Sequence, residues 1–312
     1  MNVAMDMGTA ASRSGNETVV GDGDMDMDAM LEMRQVTKRY ENFTLDHVDF
    51  VVPKGYVTGL IGENGAGKTT LMKAALGLIR TEEGEILLDG KPLAANDRAV
   101  KERFGVVFDS SSFPEELSAK QIGRILQDIY SRWEPDTFAQ LLHRFSIPTD
   151  KKVKEYSRGM KMKLSIAASL SHHADFLLLD EATGGLDPVV REEILELFQE
   201  FMEEEGHTIL MSSHITSDLE KIADYVAFMK DGRMVFQEEK DVLLSSCGIL
   251  KCGRDDFRDM DCPAFLASRE HVFGREILLR DRHSFEAQYP EAVVDPVKLE
   301  DIMLFLVKGE QL

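Results

Sequence analysis

Apolar and polar positions alternate at residues 31–36 and again at 43–50. A two-residue period predicts strands with one buried face. Pro53-Lys54-Gly55 marks a turn, and the unbroken run at 56–61 predicts a fully buried strand. After a glycine-rich segment at 62–69 the period lengthens, and Leu71, Ala74, Ala75 and Leu78 fall on one stripe of a helix. Residues 85–88 and 104–108 read as further strands, with a turn at Asp89-Gly90. From 113 to 172 strand signals vanish. Ile122, Ile125, Leu126 and Ile129, then Phe138, Leu141, Leu142 and Phe145, follow the helical period, so this stretch predicts a helical insertion. Strands resume at 176–179 and 208–211. Between them, Asp187-Pro188 starts a helix that buries Ile194, Leu195, Phe198, Phe201 and Met202 and turns Glu192, Glu193, Glu196, Glu200 and Glu203 to solvent. Beyond 237 the pattern weakens to one strand at 277–279 and a terminal helix over 299–306. Strands alternating with helices predict an α/β domain around a mostly parallel sheet. The expected division is a lead-in at 1–30, a main domain at 31–236 with its insertion at about 113–172, and an accessory region at 237–312.

Composition narrows the classes. The 312 residues are 43% hydrophobic and carry a net charge of −20. Such an acid excess argues against nucleic-acid binding, which needs a Lys/Arg surplus on some face. No apolar run approaches the ~20 residues of a spanning helix. Residues 1–30 hold Asp6, Glu17, Asp22, Asp24, Asp26 and Asp28 against Arg13 alone. That is no secretory signal, and it predicts a disordered acidic lead-in. Its Asp-Gly-Asp pattern lacks the closing Glu of a calcium loop, because the twelfth position from Asp22 is Met33. Cys247, Cys252 and Cys262 are odd in number and too widely spaced for a paired zinc site. They fit a reducing, cytoplasmic compartment.

The chemistry lies in Gly62-Glu63-Asn64-Gly65-Ala66-Gly67-Lys68-Thr69, followed by Thr70. A buried strand precedes it and a helix follows, as a phosphate-binding loop requires. The glycines let successive N–H groups point at one anion, and the helix start adds its positive dipole end. Lys68 can reach the β- and γ-phosphates, and the Thr69 hydroxyl can bind Mg²⁺. A second piece lies 112 positions after Lys68: Phe176-Leu177-Leu178-Leu179-Asp180-Glu181, an apolar strand ending in two carboxylates. Ligands of parallel sheets bind at C-terminal strand ends. Asp180 is therefore expected to face the metal, and Glu181 to polarise an attacking water. These two pieces alone establish only a nucleoside triphosphatase.

Between them stands Tyr156-Ser157-Arg158-Gly159-Met160. After them come Gly185-Leu186-Asp187-Pro188 and Ser212-Ser213-His214. This ordered set, over about residues 31–236, resembles the ATP-binding cassette (ABC) family. The resemblance implies a P-loop NTPase fold with a parallel core, an antiparallel β subdomain and a helical insertion; the strand and helix read beyond 237 add a small C-terminal α+β appendage. It further implies ATP and Mg²⁺ as cofactors. A second ABC ATPase subunit, identical or not, would lie head to tail, and a transmembrane permease would hold the pair at the inner face of the membrane.

Residue roles carry over in the same way. Ser157 and Gly159 should meet the γ-phosphate in the partner's site. His214 resembles the family's switch histidine, beside the catalytic Glu181. Asp187 matches the loop that links the two sites. Tyr40 stands where an aromatic stacks on adenine, though a packing role is also open to it. Two departures stand out. Asp109 replaces the usual Gln at a strand end, where a carboxylate could still serve Mg²⁺. The signature differs from Leu-Ser-Gly-Gly-Gln at Tyr156, Arg158 and Met160. Similar changes occur in exporters of drugs, peptides or polysaccharides, so export is the expected direction. Competing readings are a soluble, non-transport ABC ATPase and a regulatory nucleotide-binding module with weak hydrolysis. The first fits poorly, because only 88 positions separate Lys68 from Tyr156 and they hold no coiled-coil heptads.

Overall fold

The computed structural model describes residues 19–20, 28–94, 96–109, 113–253, 265–271 and 274–311. Five strands run parallel in the order Tyr225–Lys230, Val57–Ile61, Thr208–Ser212, Phe176–Asp180 and Phe104–Val107. Arg233–Glu239 extends this sheet antiparallel to Tyr225–Lys230, and Val19–Val20 pairs with its outer edge. Within the stretch expected to be disordered, Val19 and Val20 thus form a short strand. Asp6, Glu17, Asp22, Asp24 and Asp26 lie outside the described residues, as does Cys262.

Val57–Ile61, Phe176–Asp180 and Thr208–Ser212 are buried at every position, because a parallel sheet is covered on both faces. Leu177, Leu179, Ile209 and Met211 join a core with Ile194 and Phe198 of the helix Pro188–Met202 and with the helical insertion. Phe176, Leu178 and Leu210 join Leu71, Met72 and Ala75 of the helix Lys68–Ala75. That helix is also covered by an antiparallel sheet ordered Thr44–Pro53, Ala29–Arg39, Glu83–Leu88 and Lys91–Pro92. It therefore lies between two sheets, which fixes the loop at its start.

The insertion packs the helices Ala119–Ile129, Pro135–Arg144 and Arg158–Leu170 around Phe138, Leu142 and Phe145. Ser118 opens the first helix with a capping box to Gln121. A fork from Arg144 to Glu200, at 2.6 and 2.8 Å, ties the insertion to the helix Pro188–Met202.

Several expectations are corrected. Leu78 does not extend the buried stripe: its helix ends at Ala75, and Leu78 is 60% exposed. In the long helix Leu197 is buried, while Phe201 and Met202 are half-buried. The acidic face is solvated as expected, with Glu192, Glu196, Glu200 and Glu203 exposed, and from it Glu192, Glu193 and Glu200 pair with Lys221, Lys163 and Arg144. The strand Arg233–Glu239 crosses the boundary expected at 236.

The C-terminal region is α+β, as expected. Its antiparallel sheet orders Val294–Asp295, Gly248–Cys252, Gly274–Leu279, Phe265–His271 and Glu310–Gln311, with helices Arg282–Gln288 and Leu299–Lys308. Leu299, Ile302, Phe305 and Leu306 merge into the main core. Lys230 Nζ donates to Leu306 O at 2.8 Å across this seam. Among the described residues, no helix is long and apolar enough to cross a membrane.

Candidate functional site

The central strand Val57–Ile61 runs straight into the loop at 62–69. A Cβ on Gly62 would lie 2.4 Å from the carbonyl oxygen of Met229, so no side chain fits there. Gly67 has φ +112°, and a Cβ on it would meet the Phe43 ring at 2.7 Å. Glu63, Asn64 and Gly65 are exposed at the crest; Ala66, Gly67 and Lys68 are buried beneath it. Lys68 Nζ donates to the carbonyls of Gly62, at 2.7 Å, and Glu63, at 3.1 Å. Ala66 O accepts from Gly232 N at 3.0 Å, which pins the loop to the hairpin after Tyr225–Lys230. Thr69 and Thr70 open the helix, where backbone N–H groups lack carbonyl partners inside it. Such a turn is suited to an anion.

Sheet register then delivers the acids. Leu60 pairs with Ser212, and Ser212 with Asp180, so the carboxylate stands two strands from the loop. Thr69 Oγ1 donates to Asp180 Oδ2 at 2.7 Å, and Ser212 Oγ donates to Oδ1 at 2.6 Å. Asp180 is 4% exposed, and each of its oxygens accepts a hydroxyl. Ser212 also holds the next residue: Glu181 N donates to its Oγ and to its carbonyl, both at 3.1 Å. Glu181 has φ +54°, a left-handed backbone that costs a non-glycine residue about 1–2 kcal/mol. The bonds to Ser212, and one from Gly184 N at 3.0 Å, maintain it.

This turn aims the Glu181 side chain back at the loop. Oε1 is buried, accepts no hydrogen bond from the described residues and lies 3.7 Å from Lys68 Nζ. Oε2 meets Nδ1 of His214. A carboxylate only accepts, so Nδ1 carries the proton. One oxygen is thus oriented by His214 and the other is free to accept from a water.

The remaining expected residues lie around this centre. Tyr40 is 47% exposed, and its ring stands 6.4 Å from that of Phe43, the residue packed on Gly67. Ser157 caps the helix Arg158–Leu170 by accepting from Met160 N at 3.2 Å, and it is exposed. Gly159 follows in the first turn, half-buried beside Leu186. Asp187 caps the helix Pro188–Met202 through Val190 N at 3.1 Å. The Asp109 carboxylate, at the end of its strand, is engaged by the guanidinium of Arg158. Sequence reasoning did not single out Ser212, although it sits in the quoted Ser212-Ser213-His214 run, nor did it pair Arg158 with any residue.

Residues 45–184 match the family model described as ABC transporter. The chain is 36% identical over 215 residues to the lantibiotic transport ATP-binding protein SrtF of Streptococcus pyogenes, covering 68% of this chain and 92% of that protein. It is 29% identical over 301 residues to the Nod factor export ATP-binding protein I of Cupriavidus metallidurans, covering 91% and 99%. A solved ATP-binding subunit of an ABC transporter superposes with a TM-score of 0.63 at 28% identity, over 68% of this chain and 91% of that one.

Proposed function

Since the chain belongs to the ABC transporter family, as an ATP-binding and ATP-hydrolysing subunit, we propose that the loop at 62–69, Asp180, Glu181 and His214 are its working site, and that it powers export through a separate permease. The observation that carries this is the meeting of Lys68, Thr69, Asp180 and Glu181 from opposite parts of the chain. The triphosphate would lie on the loop amides, and Lys68 would exchange its carbonyl partners for phosphate oxygens. Tyr40 would stack on adenine.

Thr69 and Asp180 offer hard oxygen donors 2.7 Å apart. That suits Mg²⁺, which keeps most of its waters and takes few protein ligands. Bound there, it would neutralise phosphate charge. Glu181 Oε1 would accept a proton from water while His214 fixes the carboxylate. Ser157, Gly159 and Asp187, on helix starts at the surface, suit contact with a second subunit's nucleotide.

Export rests on the relatives' roles in lantibiotic transport and Nod factor export. The permease would dock on the insertion, where Ile125 and Ile129 are 45% and 51% exposed one helical turn apart. The subunit would then sit at the cytoplasmic side of the membrane.

The purified chain should release phosphate from ATP with Mg²⁺. Lys68→Ala should abolish this, with a loss of at least about 100-fold. Unchanged release in that variant would refute the site.

A further inference from the structure

Two departures from the family pattern, Asp109 and Arg158, lie 49 residues apart and touch: Arg158 Nη2 meets Asp109 Oδ1. They border a space of about 410 Å³ between the end of Phe104–Val107 and the start of Arg158–Leu170. The other charged pair there is already made, since Lys161 Nζ holds Glu115 at 2.8 Å. Arg158 reaches a third element too. Its Nη1 lies 2.7 Å from where a Cβ on Gly185 would sit, so the guanidinium covers the loop before Asp187. Gly185 has φ +70°, so a side chain there would be both strained and crowded. One side chain therefore joins the strand end, the signature turn and the linking loop.

The pair is poorly placed as a brace for the fold. Arg158 and Asp109 side chains are 55% and 56% exposed, and exposed ion pairs add little stability. An exposed guanidinium beside Ser157 is, however, well made for phosphate, which it can grip with two parallel N–H donors.

We propose that Arg158 exchanges anions during the cycle. Without nucleotide, Asp109 of the same chain holds it. When two copies close on ATP, the guanidinium moves to the triphosphate bound by the partner subunit. Asp109 is then released, which reports closure to the strand end. This rests on the paired-subunit reading above. Asp109 acts as a positioning residue that competes with phosphate, and Arg158 as a phosphate contact in trans.

A fixed clamp would respond to loss of either partner in the same way, whereas an exchange responds in opposite ways. In full-length protein carrying Glu181→Gln, ATP is titrated and dimer formation is followed by light scattering. Asp109→Asn should lower the ATP concentration for half-dimerisation roughly threefold or more, because the competitor is gone. Arg158→Gln should raise it roughly tenfold, the scale of one charge-assisted hydrogen bond. Arg158→Lys should fall between Arg158→Gln and the native residue. With Arg158→Gln in place, Asp109→Asn should add nothing. Shifts of the two single variants in the same direction, or no shift with Arg158→Gln, would overturn the exchange alone. Absence of any ATP-driven dimer would remove the paired-subunit reading, and the exchange with it.

Discussion

Single side chains set both the site and the acid sensitivity of the fold. Ser212 is the keystone residue of the site, since its hydroxyl and carbonyl hold Asp180 and Glu181 together. Away from the site, His172 is 1% exposed, with its ring 4.0 Å from that of Tyr130. Burial pushes its pKa below the ordinary 6.5. The unfolded chain therefore takes up a proton more readily than the folded one. Its contribution to stability is full above about pH 6.5 and declines as pH falls toward the lowered folded value. Urea unfolding at pH 7.5 and 5.5 should show a smaller drop in His172→Gln than in the native chain; an equal drop would refute the assignment. The meeting of Asp109 and Arg158 could not be read from sequence. Each stood out separately, but ion pairing between residues 49 apart depends on how the insertion docks.

At the scale of elements, continuous apolar runs were the most legible feature. A parallel strand covered on both faces is mostly apolar, so 57–61, 176–179 and 208–211 announced themselves, although Tyr56, expected to join the first, lies outside it and is exposed. The helix start at Asp187-Pro188 was equally clear, because Asp187 caps it chemically, whereas the caps at Ser118 and Ser157 emerge in the structure. Helix ends were less so. The stripe continues to Leu78, yet Gly77 at φ +63° follows the end of the helix. The hairpin Tyr225–Lys230 and Arg233–Glu239 went unmarked, and it is the element that clamps the phosphate loop through Gly232.

The helix Ala119–Ile129 shows a division of labour along its length. Ala119, Ile122 and Gly123 are buried, while Ile125 and Ile129 face outward. If that outer stripe receives the permease, Ile125→Asp with Ile129→Asp should leave ATP hydrolysis by the isolated subunit within about twofold, because surface changes remote from a site act weakly. The same change should prevent co-purification with a co-expressed permease partner. Retained co-purification would place docking elsewhere.

Across the whole molecule, one sheet and the core that covers it join the parts. Its C-terminal strand edge holds the phosphate loop, Asp180, Glu181 and His214. One covering layer continues into the insertion, and the same core runs on into the C-terminal region through Ile302, Phe305 and Leu306. That region is thus fastened to the cassette rather than strung beside it, a point the weak pattern beyond 237 could not reveal. Short strands such as Val294–Asp295 and Glu310–Gln311 carry too few residues for a period to register.

The central claim is that Glu181 activates water on an ATP held by the loop at 62–69. Its most direct test is ATP binding and turnover measured side by side in Glu181→Gln. The account predicts retained ATP affinity with turnover reduced by about 100-fold or more. Turnover near the native rate in that variant would contradict it.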